Sequence, residues 1–351
     1  MVDDQHAHFY LGSDFDLSSV FGWDPDNDPA RFASGLGHNF LELFVRLRER
    51  GHPVSIGPNI PPETRVIVVF PGPEIWNFRH HCSLGWAVRR HECLIIRSDL
   101  HMRYGRIIAN ALHIVANPRI VDEERRIRVA YLSPLPQRGL RPRREHSPDG
   151  NLVLVYKGNP TNLPEYLKQE SFLSALTALG VELVLDVPAR VDGSDQSWHD
   201  FSRADLVLLD RANRTLTHTL NKPPTKLLNA WYADGIPLYA AEPAYLCLAE
   251  PGLDSLPFDG PQELLALLGR LTDEPDLLDR LRAGVRHRRT SLPSTQEVVE
   301  SYWAAIQSQA SRPSTLRAIT AVTLLVPMLI HVRLLRILDR AQAFSHRRLR
   351  G

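Results

Sequence analysis

The chain alternates short apolar runs with amphipathic stretches. Between 39 and 50, Phe40, Leu41, Phe44, Val45 and Leu47 recur at helical spacing, with Glu42, Arg46 and Arg48 between them. That spacing predicts a helix, and Gly51 ends it. Val54, Ser55 and Ile56 read as a strand, as does the run Val66, Ile67, Val68, Val69, Phe70. The second is apolar throughout, as in a parallel sheet covered on both faces. Runs at 93–96 and 112–116 repeat the pattern, 8–11 is a candidate first strand, and helices fit near 76–90 and 100–109. A second alternation predicts strands at 152–156, 181–185, 205–209 and 236–239. Helices at 165–179 and 226–233 separate them, and helices at 261–270, 274–289 and 295–309 close the domain. Strand and helix alternating in both halves predicts an α/β protein. Its two doubly wound, Rossmann-like domains face each other across a cleft, with ligands at the carboxyl ends of the strands.

Composition adds bounds. At ~150 residues per domain, 351 residues suit two domains. Pro134, Pro136, Pro142 and Pro148 lie among arginines and glycines with no apolar stripe, so 134–150 reads as a linker. The parts are then 1–133, 134–150, 151–310 and a tail, 311–351. Hydrophobic and charged shares of 43% and 23% exclude a disordered or multi-span membrane chain. Lys+Arg of 41 against Asp+Glu of 40 gives no global pull toward nucleic acid. The three cysteines, Cys82, Cys93 and Cys247, are odd in number and lack a CxxC, which favours a reducing compartment. Met1, Val2, Asp3 and Asp4 lack the basic and apolar regions of a signal peptide, so a cytoplasmic location is expected.

The tail is different. Eight arginines face one acid, Asp339, in 311–351. The stretch 318–332 carries no full charge but is too short to span a bilayer, and Pro327 interrupts it. Arg333, Arg336, Arg340 and Arg347 share one helical stripe. This pattern predicts an interfacial anchor, through 318–350, on the anionic inner face of the cytoplasmic membrane. The alternative is a tail packed back on the first domain.

The segment 221–245 carries the chemistry. Lys222 and Lys226 bracket Pro223 and Pro224 at a helix start, and Asn229 follows Lys226 on the same face. A helix N-terminus with two lysines suits an anion such as phosphate. Solvated lysines on a surface loop are the alternative. Arg211 follows the strand 205–209, at the end where this fold holds ligands, and suits bidentate phosphate contacts. Asp210 is a competing partner for it. Arg97 and Asp99 follow the strand 93–96 in the same way, with Ser98 or Asp99 equally suited to cap a helix. Gly35 and Gly37 sit in a loop where backbone could approach a ligand. His80, His81, Cys82, His91 and Cys93 show no standard zinc spacing, so no metal site is expected.

These residues resemble the donor segment of bacterial glycosyltransferases of the GT-B fold, the class that includes family 4. Its helix start reads roughly P-x-x-K-L-x-E-A-x-A-x-G-x-P-V. Pro223, Lys226, Leu227, Ala230, Gly235 and Pro237 match, with one extra residue before the glycine. Asn229 stands where family 4 has the glutamate that holds the donor ribose. A branch with K-P-x-x-K-L-x-N-A-W looks most similar. Gly35, Gly37 and the following Arg50, Gly51, His52, Pro53 and Val54 also resemble the class.

The resemblance implies a hexosyltransferase that uses a nucleotide-sugar co-substrate without a bound metal. The second domain would hold the donor, through Gly158, Asn159, Lys222, Asn229 and Glu242. The first would hold a glycan or glycolipid acceptor, through Gly35, Gly37 and Arg97. Lys226 and Arg211 would neutralise the departing diphosphate, and Asp99 would accept a hydroxyl proton. Surface polysaccharide or glycolipid synthesis is the setting this implies. A non-catalytic subunit of the same fold, binding a partner transferase or a glycan at the membrane, is the rival reading.

Overall fold

The computed structural model describes residues 6–11, 17, 20–32, 35–70, 91–96, 111–123, 128–144, 151–187, 197–220 and 222–311. The helices read near 76–90 and 100–109, the cluster from His80 to Cys82, Arg97, Asp99 and the anchor at 318–350 all lie outside them.

The first sheet has six parallel strands: β1 (Ala7–Tyr10), β2 (Val54–Gly57), β3 (Val66–Val69), β4 (Glu92–Ile96), β5 (Leu112–Val115) and β6 (Val129–Tyr131). Their order is β2-β1-β3-β4-β5-β6. Every residue of β1, β3, β4 and β5 is buried, as their apolar runs require of strands covered on both faces. After β1 the chain makes a π turn (Gly37–Leu41) that runs into α1 (Glu42–Glu49). Phe40, Leu43, Phe44 and Leu47 on this face are fully buried, and Phe9 packs 5.0 Å from Phe40 and 5.5 Å from Phe44. A short helix, α2 (Arg119–Glu123), leads to β6.

The second sheet has five parallel strands, β7 (Leu152–Lys157), β8 (Val181–Asp186), β9 (Leu206–Leu209), β10 (Ile236–Ala240) and β11 (Leu256–Phe258). They are ordered β11-β10-β9-β7-β8. Helices α3 (Glu170–Ala178), α4 (Leu216–Thr219), α5 (Thr225–Tyr232), α6 (Pro243–Leu248), α7 (Pro261–Asp273) and α8 (Pro275–Ser291) accompany it. The extra residue before the motif glycine has a structural reason. Asp234 adopts φ 59° at the end of α5. The Asp234 and Gly235 N–H groups donate back to Trp231 and Ala230, at 3.1 and 2.9 Å, which forms a Schellman cap.

One expectation is corrected. The helix read at 295–309 was expected to close the second domain. It forms α9 (Thr295–Ala310), and its Val298, Val299, Tyr302, Trp303 and Ile306 join the core of the first domain. Gln309 Nε2 donates to the Cys93 carbonyl at 3.0 Å, Arg50 pairs with Glu300 at 2.6 Å, and His52 stacks on Trp303 at 4.5 Å. The apolar face of α9 covers the first sheet.

Candidate functional site

Each sheet has one place where strand order reverses: between β1 and β3 in the first, between β7 and β9 in the second. Crevices at the carboxyl ends of such strands are where doubly wound sheets bind ligands. In the second domain that position is occupied by Lys157 and Gly158 after β7, and by Asp210 and Arg211 after β9. A cavity of about 230 Å³ lies there. Phe32, Gly35, His38 and Asn39 line it from the first domain, Gln137 from the linker, and Lys157, Trp198, Phe201, Thr225, Lys226 and Asn229 from the second. The cleft between the domains is therefore the candidate site.

Lys226 stands at the start of α5, where no side chain caps the helix. Its Nζ is inaccessible and has no hydrogen-bond partner among the described residues, and it lies 4.7 Å from the centre of the Tyr156 ring. Burial, with the Arg211 guanidinium adding repulsion, pushes the ammonium down to about 7. An amine left so is a cost to the fold. Around it, Arg211 Nε donates to Glu242 Oε1 at 2.8 Å, and both side chains are buried. Glu242 keeps its other oxygen buried without a partner. Its carboxyl is raised by burial, against the pull of Arg211 and Lys226. Asp210 does not compete for the Arg211 guanidinium. It accepts from the Arg211 backbone N–H at 2.7 Å, from Arg214 at 2.6 and 2.8 Å, and from the Tyr166 hydroxyl at 2.8 Å.

The structure thus brings Lys226, Arg211 and Glu242 together beside Tyr156. Asn229 is buried on the next turn of α5 and lines the cavity. Lys222 is half-buried ahead of the helix and is not among the residues lining the cavity. Lys157 is buried. It donates to Asp186 at 2.6 Å and to the Ser197 carbonyl at 2.7 Å, over the Phe201 ring.

Gly158 has a local reason to be glycine, since a Cβ there would fall 2.6 Å from the Tyr156 hydroxyl oxygen. Asn159 is exposed and caps its own turn, accepting from the Thr161 N–H at 3.1 Å and from the Thr161 hydroxyl at 2.9 Å. Gly35 borders the cavity, with Phe70 at ordinary contact distance from an added Cβ, while Gly37 is buried in the π turn.

Apart from Gly35, sequence reasoning missed the first-domain wall and its support. Glu42 is fully buried. It accepts from Arg46 at 2.9 Å, lies 3.1 Å from His38 Nδ1, and pairs with Arg138 of the linker. Burial pushes the Glu42 carboxyl up, but these three cations and donors outweigh it and leave the group below its ordinary value. The charged residue inside a helical apolar stripe, Glu42 between Leu41 and Leu43, was the available signal.

No family model matches the chain, and no curated protein matches it in sequence. Solved structures do match in fold. The chain is similar to WaaG, a glycosyltransferase involved in lipopolysaccharide biosynthesis, with TM-score 0.51 and 14% identity over 87% of this chain and 100% of that one. It is similar to sucrose-phosphate synthase from Thermosynechococcus elongatus, with TM-score 0.51 and 12% identity over 87% and 98%. A glycosyltransferase from Rickettsia africae matches with TM-score 0.50 and 8% identity over 88% and 100%. Two parallel-sheet, Rossmann-like domains in the arrangement of GT-B glycosyltransferases are the fold of this chain.

Proposed function

We propose that the chain is a glycosyltransferase that moves a sugar from a nucleotide-sugar donor to an acceptor hydroxyl. The observation that carries this reading is Lys226. Its buried amine has no hydrogen-bond partner among the described residues, yet it stands at an uncapped helix start, beside Arg211, in the crevice where this fold binds ligands. A diphosphate would supply the missing oxygens. Cations held ready for charge that grows on a leaving diphosphate act as electrostatic transition-state stabilisers. Glu242 orients Arg211 for that role. The reading extends to transfer of a hexose without a bound metal, to glycan or glycolipid acceptors on the first-domain side, and to surface polysaccharide or glycolipid synthesis. In this reading the arginine-rich tail holds the enzyme at an anionic membrane surface.

The test is a thermal-shift panel of UDP-, GDP-, ADP- and dTDP-sugars. A ligand selective for the native state raises the melting temperature. One donor is expected to stabilise the protein and to lose that effect in Lys226→Ala. A folded protein that neither binds any donor nor releases a nucleoside diphosphate overturns the reading. That same result would favour the rival, a non-catalytic subunit of this fold. The observation on that side is that Arg211 is already engaged by Glu242.

A further inference from the structure

Two consecutive linker residues are tied to opposite domains. Arg138, itself buried, pairs with the fully buried Glu42 of α1 and lies 4.7 Å over the Phe32 ring of the first domain. The Gln137 N–H donates to Asn229 Oδ1 of α5, in the second domain, at 3.3 Å. That bond settles which end of the carboxamide faces the linker, since only the oxygen can accept. The amide nitrogen of Asn229 is turned away from this bond, and no described residue accepts from it. Asn229 lines the cavity, so that nitrogen is available to a ligand there.

We propose that Asn229 is two-sided: its oxygen holds the linker and its nitrogen holds the donor. Gln137, Arg138 and Glu42 are then positioning residues that set the opening of the cleft. The proposal rests on the cleft being a nucleotide-sugar site. It also accounts for the amide at this position. A carboxylate would accept from Gln137 as well but would have nothing to donate to a ligand oxygen. An amide does both, so one residue can join the linker to the donor.

The test separates the two sides. The full chain, with Cys82→Ser and Cys247→Ser, carries spin labels at Glu49→Cys and Glu170→Cys, both exposed and one in each domain. The ligand-free protein is expected to show one narrow interdomain distance. Gln137→Pro removes the N–H and leaves the pair of Arg138 with Glu42 untouched, and it should broaden that distribution. Glu42→Gln weakens the other end and should broaden it too, with circular dichroism confirming a folded chain. Asn229→Asp keeps the acceptor, so the distance should hold. It lacks the donor, so affinity for the nucleoside diphosphate that binds best among UDP, GDP, ADP and dTDP should fall about tenfold.

An unchanged distance in Gln137→Pro overturns the linker side. Unchanged affinity in Asn229→Asp overturns the ligand side. If the parent binds none of the four diphosphates, the ligand side and the donor-site reading fall together, and the distance measurement still decides the linker side by itself.

Discussion

Lys157 and Lys226 line one cavity from the end of β7 and the start of α5, and their surroundings are opposite. Lys157 has Asp186 at 2.6 Å and the Ser197 carbonyl at 2.7 Å. Lys226 has an aromatic face and, among the described residues, no hydrogen-bond acceptor. A buried charge that is paired and hydrogen-bonded belongs to the scaffold. A buried amine without a partner weakens the scaffold, and its presence is explained by something outside the protein that pairs with it. Two lysines lining one cavity are therefore not interchangeable as site residues, and the difference is that Lys157 meets acceptors and Lys226 meets none among the described residues.

The comparison breaks most sharply under substitution. Lys226→Ala is expected to cut turnover by about 10² to 10³, the ~2.7–4 kcal/mol of one lost transition-state contact. The folded chain should lose no stability. The sign follows from the depressed ammonium. Between pH of about 7 and its ordinary value of 10.5 the unfolded chain binds a proton that the native state lacks. Stability from this group therefore rises with pH across that window, and its full penalty is present below it. At pH 6, replacing Lys226 should raise the melting temperature. Lys157→Met should do the reverse, costing about 2–3 kcal/mol by stranding Asp186, at the low end for buried pairs because Asp186 keeps some contact with water. Urea melts of the two variants with donor turnover assays distinguish them. Equal losses of stability in both would remove the distinction.

The same comparison predicts a pH effect on binding. An anionic donor favours the protonated amine. As pH rises above about 7 the ligand-free Lys226 gives up its proton, and binding must take one back. Donor affinity should fall by up to about tenfold per pH unit above 7, and the slope should vanish in Lys226→Arg, which stays charged. Calorimetry at pH 6, 7, 8 and 9 reads this directly. A flat wild-type profile would mean that Lys226 does not meet the donor.

The fold was legible because the strands are apolar runs buried on both faces, as in β3 and β9. Strand ends then located Arg211, and helix spacing located Lys226 and Asn229. What escaped has physical causes. β6 has three half-buried residues and β11 has Pro257 at its centre, so neither shows a run. α9 has an apolar face that suits either sheet, and only the tertiary structure assigns it to the first. Gln137 contributes a backbone N–H, which no side-chain pattern reveals. Lys157 and Lys226 look alike in sequence, since Asp186 and Ser197 lie 29 and 40 residues beyond Lys157.

The smallest expected effect concerns Asn159, which the family resemblance assigned to the donor. Its carboxamide oxygen accepts from the Thr161 N–H and hydroxyl, and the side chain is exposed. A cap of this kind is worth about 0.5–1 kcal/mol when replaced by alanine. Asn159→Ala should therefore lower the urea midpoint slightly and leave donor affinity within about twofold, because a side chain occupied by its own turn has little left to offer a ligand. Lys226 and Asn159 are then two extremes of the second domain: one side chain without a hydrogen-bond partner among the described residues, one already bonded within its own turn. A drop in donor affinity of about tenfold in Asn159→Ala, with stability unchanged, would place Asn159 in the donor site and show that the turn opens to reach it.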